Sequence, residues 1–233
     1  VLVEKYTGVP RADVIVASTG VIGQPLDILP VAEGMESLAE GLGTNNDAAN
    51  EAIMTTDTVK KQAAVEFTLG GKKCAVGAMA KGSGMIHPNM ATMLVFVTTD
   101  VDISPEMLQK AVSEDVKTSF NMITVDGDTS TNDMLCAMAS GLAGNEKITE
   151  ENEDYFTFAA ALNAVTVKLC RMIAKDGEGA TKLLECNVSG AKTREDAVKA
   201  AKSVVGSALF KAAMFGADAN WGRVLCAVGY RRK

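Results

Sequence analysis

Ala64-Val65-Glu66-Phe67-Thr68-Leu69-Gly70-Gly71-Lys72-Lys73-Cys74-Ala75-Val76-Gly77-Ala78-Met79 reads as two strands, 64–69 and 73–79, folded back on each other at Gly70-Gly71. Two adjacent glycines supply the positive φ angles that a tight hairpin needs. Strand and helix patterns alternate along the rest of the chain, but a hairpin has no place in a doubly wound nucleotide fold. The pattern therefore predicts a mixed α/β layered fold. N-terminal to the hairpin, 12–17 is a short β-branched run entering Ser18-Thr19-Gly20, which predicts a buried strand and a glycine-bearing turn. Val31, Met35, Leu38 and Leu42 follow at helical spacing between Pro30 and Gly43, and 46–53 predicts a second helix.

C-terminal to the hairpin, a glycine- and proline-bearing loop, 81–92, runs into an apolar strand at 93–97. Ser104-Pro105 caps a helix carrying Leu108, Val112 and Val116. A strand is predicted at 122–125, then a polar loop, 126–133, opening a helix of small residues at 134–142. The longest helix is predicted over 150–174, with Glu150, Glu151 and Glu153 complementing its dipole. A strand at 182–188, a helix over 193–215 capped by Thr193, and a last strand at 224–228 complete the reading. The absence of a low-complexity linker predicts one unit. The chain begins at Val1 without a methionine and ends abruptly after an apolar stretch, which suggests a piece of a longer protein.

Of 233 residues, 47% are apolar and 22% charged, the balance of a folded globular chain, and the net charge of -6 argues against phosphate-backbone binding. Apolar runs are too short to predict a bilayer span. Five scattered cysteines without a CxxC pair read as reduced thiols, and a single histidine excludes multi-histidine metal sites. Lys81-Gly82-Ser83-Gly84 has its lysine ahead of the glycines, so it is not a phosphate loop. Asp126, Asp128 and Ser130 alternate like a calcium loop, but Thr131 and Ala137 stand where glycine and glutamate belong. His87, before Pro88, reads as a loop residue.

Thr92 stands where this loop meets the strand. By itself it is a β-branched residue opening a strand. As a nucleophile its hydroxyl needs a base. Chain cleavage before it would provide one, because a free α-amine titrates at about 7.7–8.0 and is partly neutral at physiological pH.

The run Lys81-Gly82-Ser83-Gly84-Met85-Ile86-His87-Pro88-Asn89-Met90-Ala91-Thr92-Met93-Leu94 resembles the self-cleaving segment of the ornithine acetyltransferases, or glutamate N-acetyltransferases. Ala17-Ser18-Thr19-Gly20-Val21-Ile22-Gly23 resembles their oxyanion loop. Val125-Asp126-Gly127-Asp128-Thr129-Ser130-Thr131-Asn132-Asp133, Lys175-Asp176-Gly177-Glu178-Gly179-Ala180 and Asp218-Ala219-Asn220-Trp221-Gly222-Arg223 are similar to three further motifs, in the family's order.

The resemblance implies an α/β/β/α sandwich, with 1–233 a single catalytic unit cut between Ala91 and Thr92 into an α part, 1–91, and a β part, 92–233. It implies a ping-pong transfer of acetyl from N2-acetylornithine to glutamate through an ester on Thr92. Thr19 and Gly20 form the oxyanion hole, and Thr55, Lys81, Thr92 and Glu178 hold substrate, with Thr56 the other match for Thr55. No metal or organic cofactor is implied, and acetyl-CoA is an alternative donor. The pieces would assemble as a heterotetramer, two α with two β, binding neither nucleic acid nor membrane, in the cytoplasm or, in a eukaryote, the mitochondrial matrix. Part of the family's pocket comes from near its C-terminus, beyond this chain. The rival readings are a self-processing amidohydrolase or aminopeptidase of related fold, and a non-catalytic homologue.

Overall fold

The structure is a computed structural model that describes residues 1–43, 46–86 and 93–230. The chain separates into two compact units, Val1–Ile53 and Met54–Lys233.

The first unit holds three helices, α1 (Leu2–Thr7), α2 (Leu29–Glu40) and α3 (Asn46–Ala52). Pro30 sits in the first turn of α2, where its missing N–H costs nothing. The strand predicted at 12–17 is absent. Arg11–Asp13 is one 3-10 turn, the residues after it are irregular, and Ile15 and Val16 are exposed. A β-branched run is a strand only when another strand accepts its hydrogen bonds, and no described residue pairs with this one.

The second unit is built on one four-stranded sheet in the order β1-β2-β3-β4, with β1 Lys61–Leu69, β2 Lys72–Lys81, β3 Leu94–Thr99 and β4 Met134–Ala139. Gly70 and Gly71 have φ of 51° and 80°, the left-handed pair that closes Leu69 onto Lys72. β3 runs antiparallel to β2, pairing Leu94 with Lys81, and β4 runs parallel to β3. The helix predicted at 134–142 is thus a strand. Its small residues carry no helical stripe, and the free edge of β3 overrides their helix propensity.

Between β3 and β4 lies α4 (Pro105–Asp115), whose N-cap Ser104 Oγ accepts the Met107 N–H. The main cover of the sheet is α5 (Glu153–Lys175), capped by Asn152 accepting from Tyr155 N–H. Phe158, Leu162, Leu169 and Ile173 of α5 are fully buried, as are Leu69, Val76, Val95 and Val97 of the sheet. Burying each such side chain is worth about 1.5–3 kcal/mol. Contrary to the run-length expectation, α5 is long and apolar enough to cross a membrane, but its apolar stripe packs against β1 and β2.

The C-terminal part forms α6 (Arg194–Val205), α7 (Ala208–Phe215) and α8 (Trp221–Gly229). One helix was expected over 193–215; Gly206 interrupts it, and Ser207 caps the new start by accepting from Phe210 N–H. The strands predicted at 122–125, 182–188 and 224–228 are not formed. Phe120–Met122 is a 3-10 turn, 182–188 is irregular, and 224–228 lies in α8. None of these runs pairs with a strand among the described residues. The molecule is thus mixed α/β, with one sheet and its helical cover rather than two stacked sheets among the described residues.

Candidate active site

The candidate site in the second unit begins where β2 ends. Gly82 has φ of 147°, a conformation that a side chain would resist, and it turns the chain out of the strand directly after Lys81. Asp57 fixes that turn: its Oδ1 accepts the Gly82 N–H at 2.8 Å, and its Oδ2 accepts the Thr55 N–H at 3.2 Å. Lys61, at the start of β1 and fully buried, places Nζ 2.5 Å from Asp57 Oδ1 and 2.6 Å from Asp176 Oδ2. Asp176, just beyond α5, accepts hydrogen bonds from the N–H and the hydroxyl of Thr58. Burial acts upward on both carboxyls, but the hydrogen bonds from Lys61 and from neighbouring backbone or hydroxyl groups outweigh it and hold both pKa values below the ordinary aspartate range.

Around this network lie Thr55, Thr56, Lys81 and Glu178 of the residues singled out in the sequence. Lys81 is 3% exposed and has no carboxylate within 4 Å among the described residues. Burial pulls its pKa down; Asp57 and Glu178 act upward on it and Lys61 downward. Ser83, also buried, meets Thr56 hydroxyl to hydroxyl at 2.6 Å, and its carbonyl accepts the Glu178 N–H at 2.9 Å. The Glu178 carboxylate lies against Gly84 so closely that a Cβ there would stand 2.8 Å from Cδ. Three segments, 55–58, 81–84 and 176–178, are therefore bound into one cluster. Thr55 and Thr56 are both exposed; Thr55 contributes its backbone and Thr56 its side chain.

Ala91, Thr92 and His87 lie outside the described residues. The flanks of 87–92 are held by the two ends of one polar loop. Asp126 accepts the Met85 and Ile86 N–H groups at 2.5 and 3.0 Å, and Asp133 accepts the Met93 N–H at 2.9 Å. Met85 carries a positive φ of 50°. Asp133 Oδ2 is buried without a hydrogen bond, and burial raises the Asp133 pKa despite the bond from Met93. Thr19 and Gly20 belong to the first unit, in the irregular stretch after Asp13; Thr19 is half-buried and Gly20 exposed.

Asp57 and Lys61 were not singled out by sequence reasoning, and Ser83, Asp126, Asp133 and Asp176 only as parts of motifs. One signal was legible: the segment 55–58 and the loop at 175–178 each join an aspartate to a threonine or glycine, a composition suited to loop anchoring. Beside Glu178 opens a cavity of about 380 Å³, lined largely by apolar groups such as Val125, Leu183, Met214 and Phe215. Lys211 reaches it half-buried and donates to the Val125 carbonyl at 2.5 Å. No three His, Cys, Asp or Glu side chains cluster as metal ligands among the described residues.

The ArgJ family model matches residues 1–233. The chain belongs to the ArgJ family. It is 56% identical over 228 residues to arginine biosynthesis bifunctional protein ArgJ 1 of Clostridium acetobutylicum, covering 97% of this chain and 56% of that protein. It is 59% identical over 216 residues to the ArgJ protein of Symbiobacterium thermophilum, covering 92% of this chain and 54% of that one. The chain spans about half the length of the curated ArgJ relatives it matches. A crystal structure of arginine biosynthesis bifunctional protein argJ from Bacillus halodurans aligns with a TM-score of 0.56 at 55% identity, over 58% of this chain and 63% of that one.

Proposed function

We propose that this chain is part of a self-cleaving acyltransferase that moves acetyl from N2-acetylornithine to glutamate in arginine biosynthesis. The observation that carries the proposal is the convergence of Thr56, Lys81, Ser83 and Glu178 on the loop leading into 87–92, with Asp126 and Asp133 gripping that segment's two flanks. ArgJ membership supports the same reading.

In this reaction water hydrolyses the bond between Ala91 and Thr92, leaving a carboxylate on Ala91 and a free α-amine on Thr92, and that amine accepts the proton of Thr92 Oγ. Oγ attacks the acetyl carbonyl, and Thr19 and Gly20 donate to the oxyanion. Such donors act on charge that exists only in the tetrahedral state, and losing one typically costs about 3–4 kcal/mol. Ornithine departs carrying the proton, and the acetyl group remains as an ester. The amine of glutamate then attacks the ester carbonyl, Oγ regains its proton, and N-acetylglutamate leaves. Lys81 faces a substrate carboxylate. Glu178 faces a substrate amine, and Thr55 or Thr56 completes the hold. Because the acyl group rides on the protein, the cycle requires no metal or organic cofactor, and acetyl-CoA is the alternative donor.

The α and β parts stay together as one catalytic unit, pair into a heterotetramer and work in the cytoplasm. The full protein is an α/β/β/α sandwich. Mass spectrometry tests the chemistry. A β part beginning at Thr92 should gain an acetyl group from N-acetylornithine and lose it to glutamate. A Thr92→Ala chain that is still cut at that bond would refute the assignment.

A further inference from the structure

The cluster contains a cation whose charge serves no substrate contact in the mechanism above. Lys61 is fully buried, and burying an ammonium is costly unless carboxylates surround it. Here it binds two, Asp57 and Asp176, whose side chains are 0% and 6% exposed. A second ammonium, Lys81, is buried nearby, and both Asp57 and Lys61 act on its charge. Asp57 is the carboxylate closest in influence to Lys81, yet its oxygens are already taken by Lys61, Gly82 N–H and Thr55 N–H. Two buried lysines thus share one neighbourhood, and among the described residues only Lys61 is ion-paired there.

We infer that Lys61 is a positioning residue for substrate carboxylate: by saturating Asp57 and Asp176 it leaves the Lys81 ammonium with no carboxylate within 4 Å among the described residues and open to a carboxylate from outside. This rests on the reading that Lys81 holds substrate. Without Lys61, Asp57 becomes an uncompensated buried carboxylate beside an unpaired ammonium, and Lys81 closes onto it. The anion site is then neutralised from within. Gly82 and Thr55 remain tethered to Asp57 in either case, so the change falls on binding rather than on the reacting atoms.

The test is steady-state kinetics of acetyl transfer in the full chain. Lys61→Met raises KM for N-acetylornithine about 10- to 100-fold, the worth of one charged hydrogen bond, with kcat little changed. Lys61→Met/Asp57→Asn recovers most of that loss, because the Asp57 carboxylate that Lys81 would close onto is gone. In a Lys81→Met background, Lys61→Met adds no further rise, since it acts through Lys81. An additive rise would mark a merely structural role and overturn the inference. So would an unchanged KM in Lys61→Met, or a double variant no better than Lys61→Met. If Lys61→Met does not fold, Lys61→Met/Asp57→Asn carries the test alone: a KM near wild type supports the inference, and one as high as Lys81→Met overturns it. An unchanged KM in Lys81→Met overturns the substrate-site reading itself, and that outcome is distinct from all the others.

Discussion

Replacing Gly84 by alanine isolates the position of the Glu178 carboxylate. The new Cβ would stand 2.8 Å from Glu178 Cδ and Oε1 and 3.1 Å from Oε2. Ordinary contact begins near 3.4 Å, so the carboxylate must retreat by at least about 0.6 Å. Gly84 does not use a positive φ, so alanine adds no backbone strain, and Glu178 is an exposed, flexible side chain that can swing outward. Stability should therefore change by no more than about 0.5 kcal/mol. Catalysis should suffer far more, because a displacement of about 1 Å in a positioned group can cost 10²-fold. We expect kcat/KM for acetyl transfer to fall about 10- to 100-fold while Tm stays within a few degrees of wild type. In a Glu178→Ala background the same substitution should cost almost nothing. Full activity in Gly84→Ala would show that the carboxylate has no positional role. A fall in activity matched by a large fall in Tm would show that the loop, not the carboxylate, is what the methyl group disturbs.

The remaining predictions use the same network. Gly177→Ala meets Val125 Cγ1 at 2.8 Å in a buried setting, so it should destabilise by about 1–3 kcal/mol in denaturant titrations. Thr56→Ala should cost about 1 kcal/mol through the lost bond to Ser83, whereas exposed Thr55→Ala should leave stability within about 0.5 kcal/mol; activity assays of the two then show which threonine serves substrate. Asp57 and Asp176 have folded pKa values below the unfolded value of about 3.9. Their contribution is thus fully present above about pH 4 and lost as pH falls through the folded values. Asp176→Asn should accordingly flatten the acid limb of Tm against pH. Folding disfavours the charged form of Lys81, so Lys81→Met should raise stability by about 1 kcal/mol while weakening substrate binding, a stability gain purchased with function.

The elements legible in the sequence are those whose signal is self-sufficient. Gly70-Gly71 fixes its hairpin through backbone conformation alone, Ser104 and Thr193 cap their helices from within one turn, and the stripe of α5 buries itself on whatever sheet is present. The readings that failed all needed a partner. The segments 12–17, 182–188 and 224–228 have strand-like composition but pair with no strand among the described residues, and Ile15, Val16 and Leu225 are left exposed. The 134–139 run erred in the other direction: it looks helical until the edge of β3 is available. Composition fixes what a segment can bury, whereas pairing fixes what it becomes.

The site divides along the same line. Lys81 and Glu178 were visible because the motifs that carry them resemble the family's; on their own they read as a surface lysine and an acid at a helix end. The aspartates that organise them were not, because an aspartate in a loop reads as turn or solvent-facing polarity. In the structure each one accepts a backbone N–H across the chain: Asp57 from Gly82, Asp126 from Met85 and Ile86, and Asp133 from Met93. These bonds span 25 to 41 residues. A carboxylate holding an amide in a loop does what a ladder partner does in a strand, and it can hold a backbone bend such as Gly82 or Met85 that no ladder would accept. An active site built at the end of a sheet needs such bends to turn its side chains off the strand. The cost is a set of charges that must be balanced in the interior, and Lys61 is where that balance is struck.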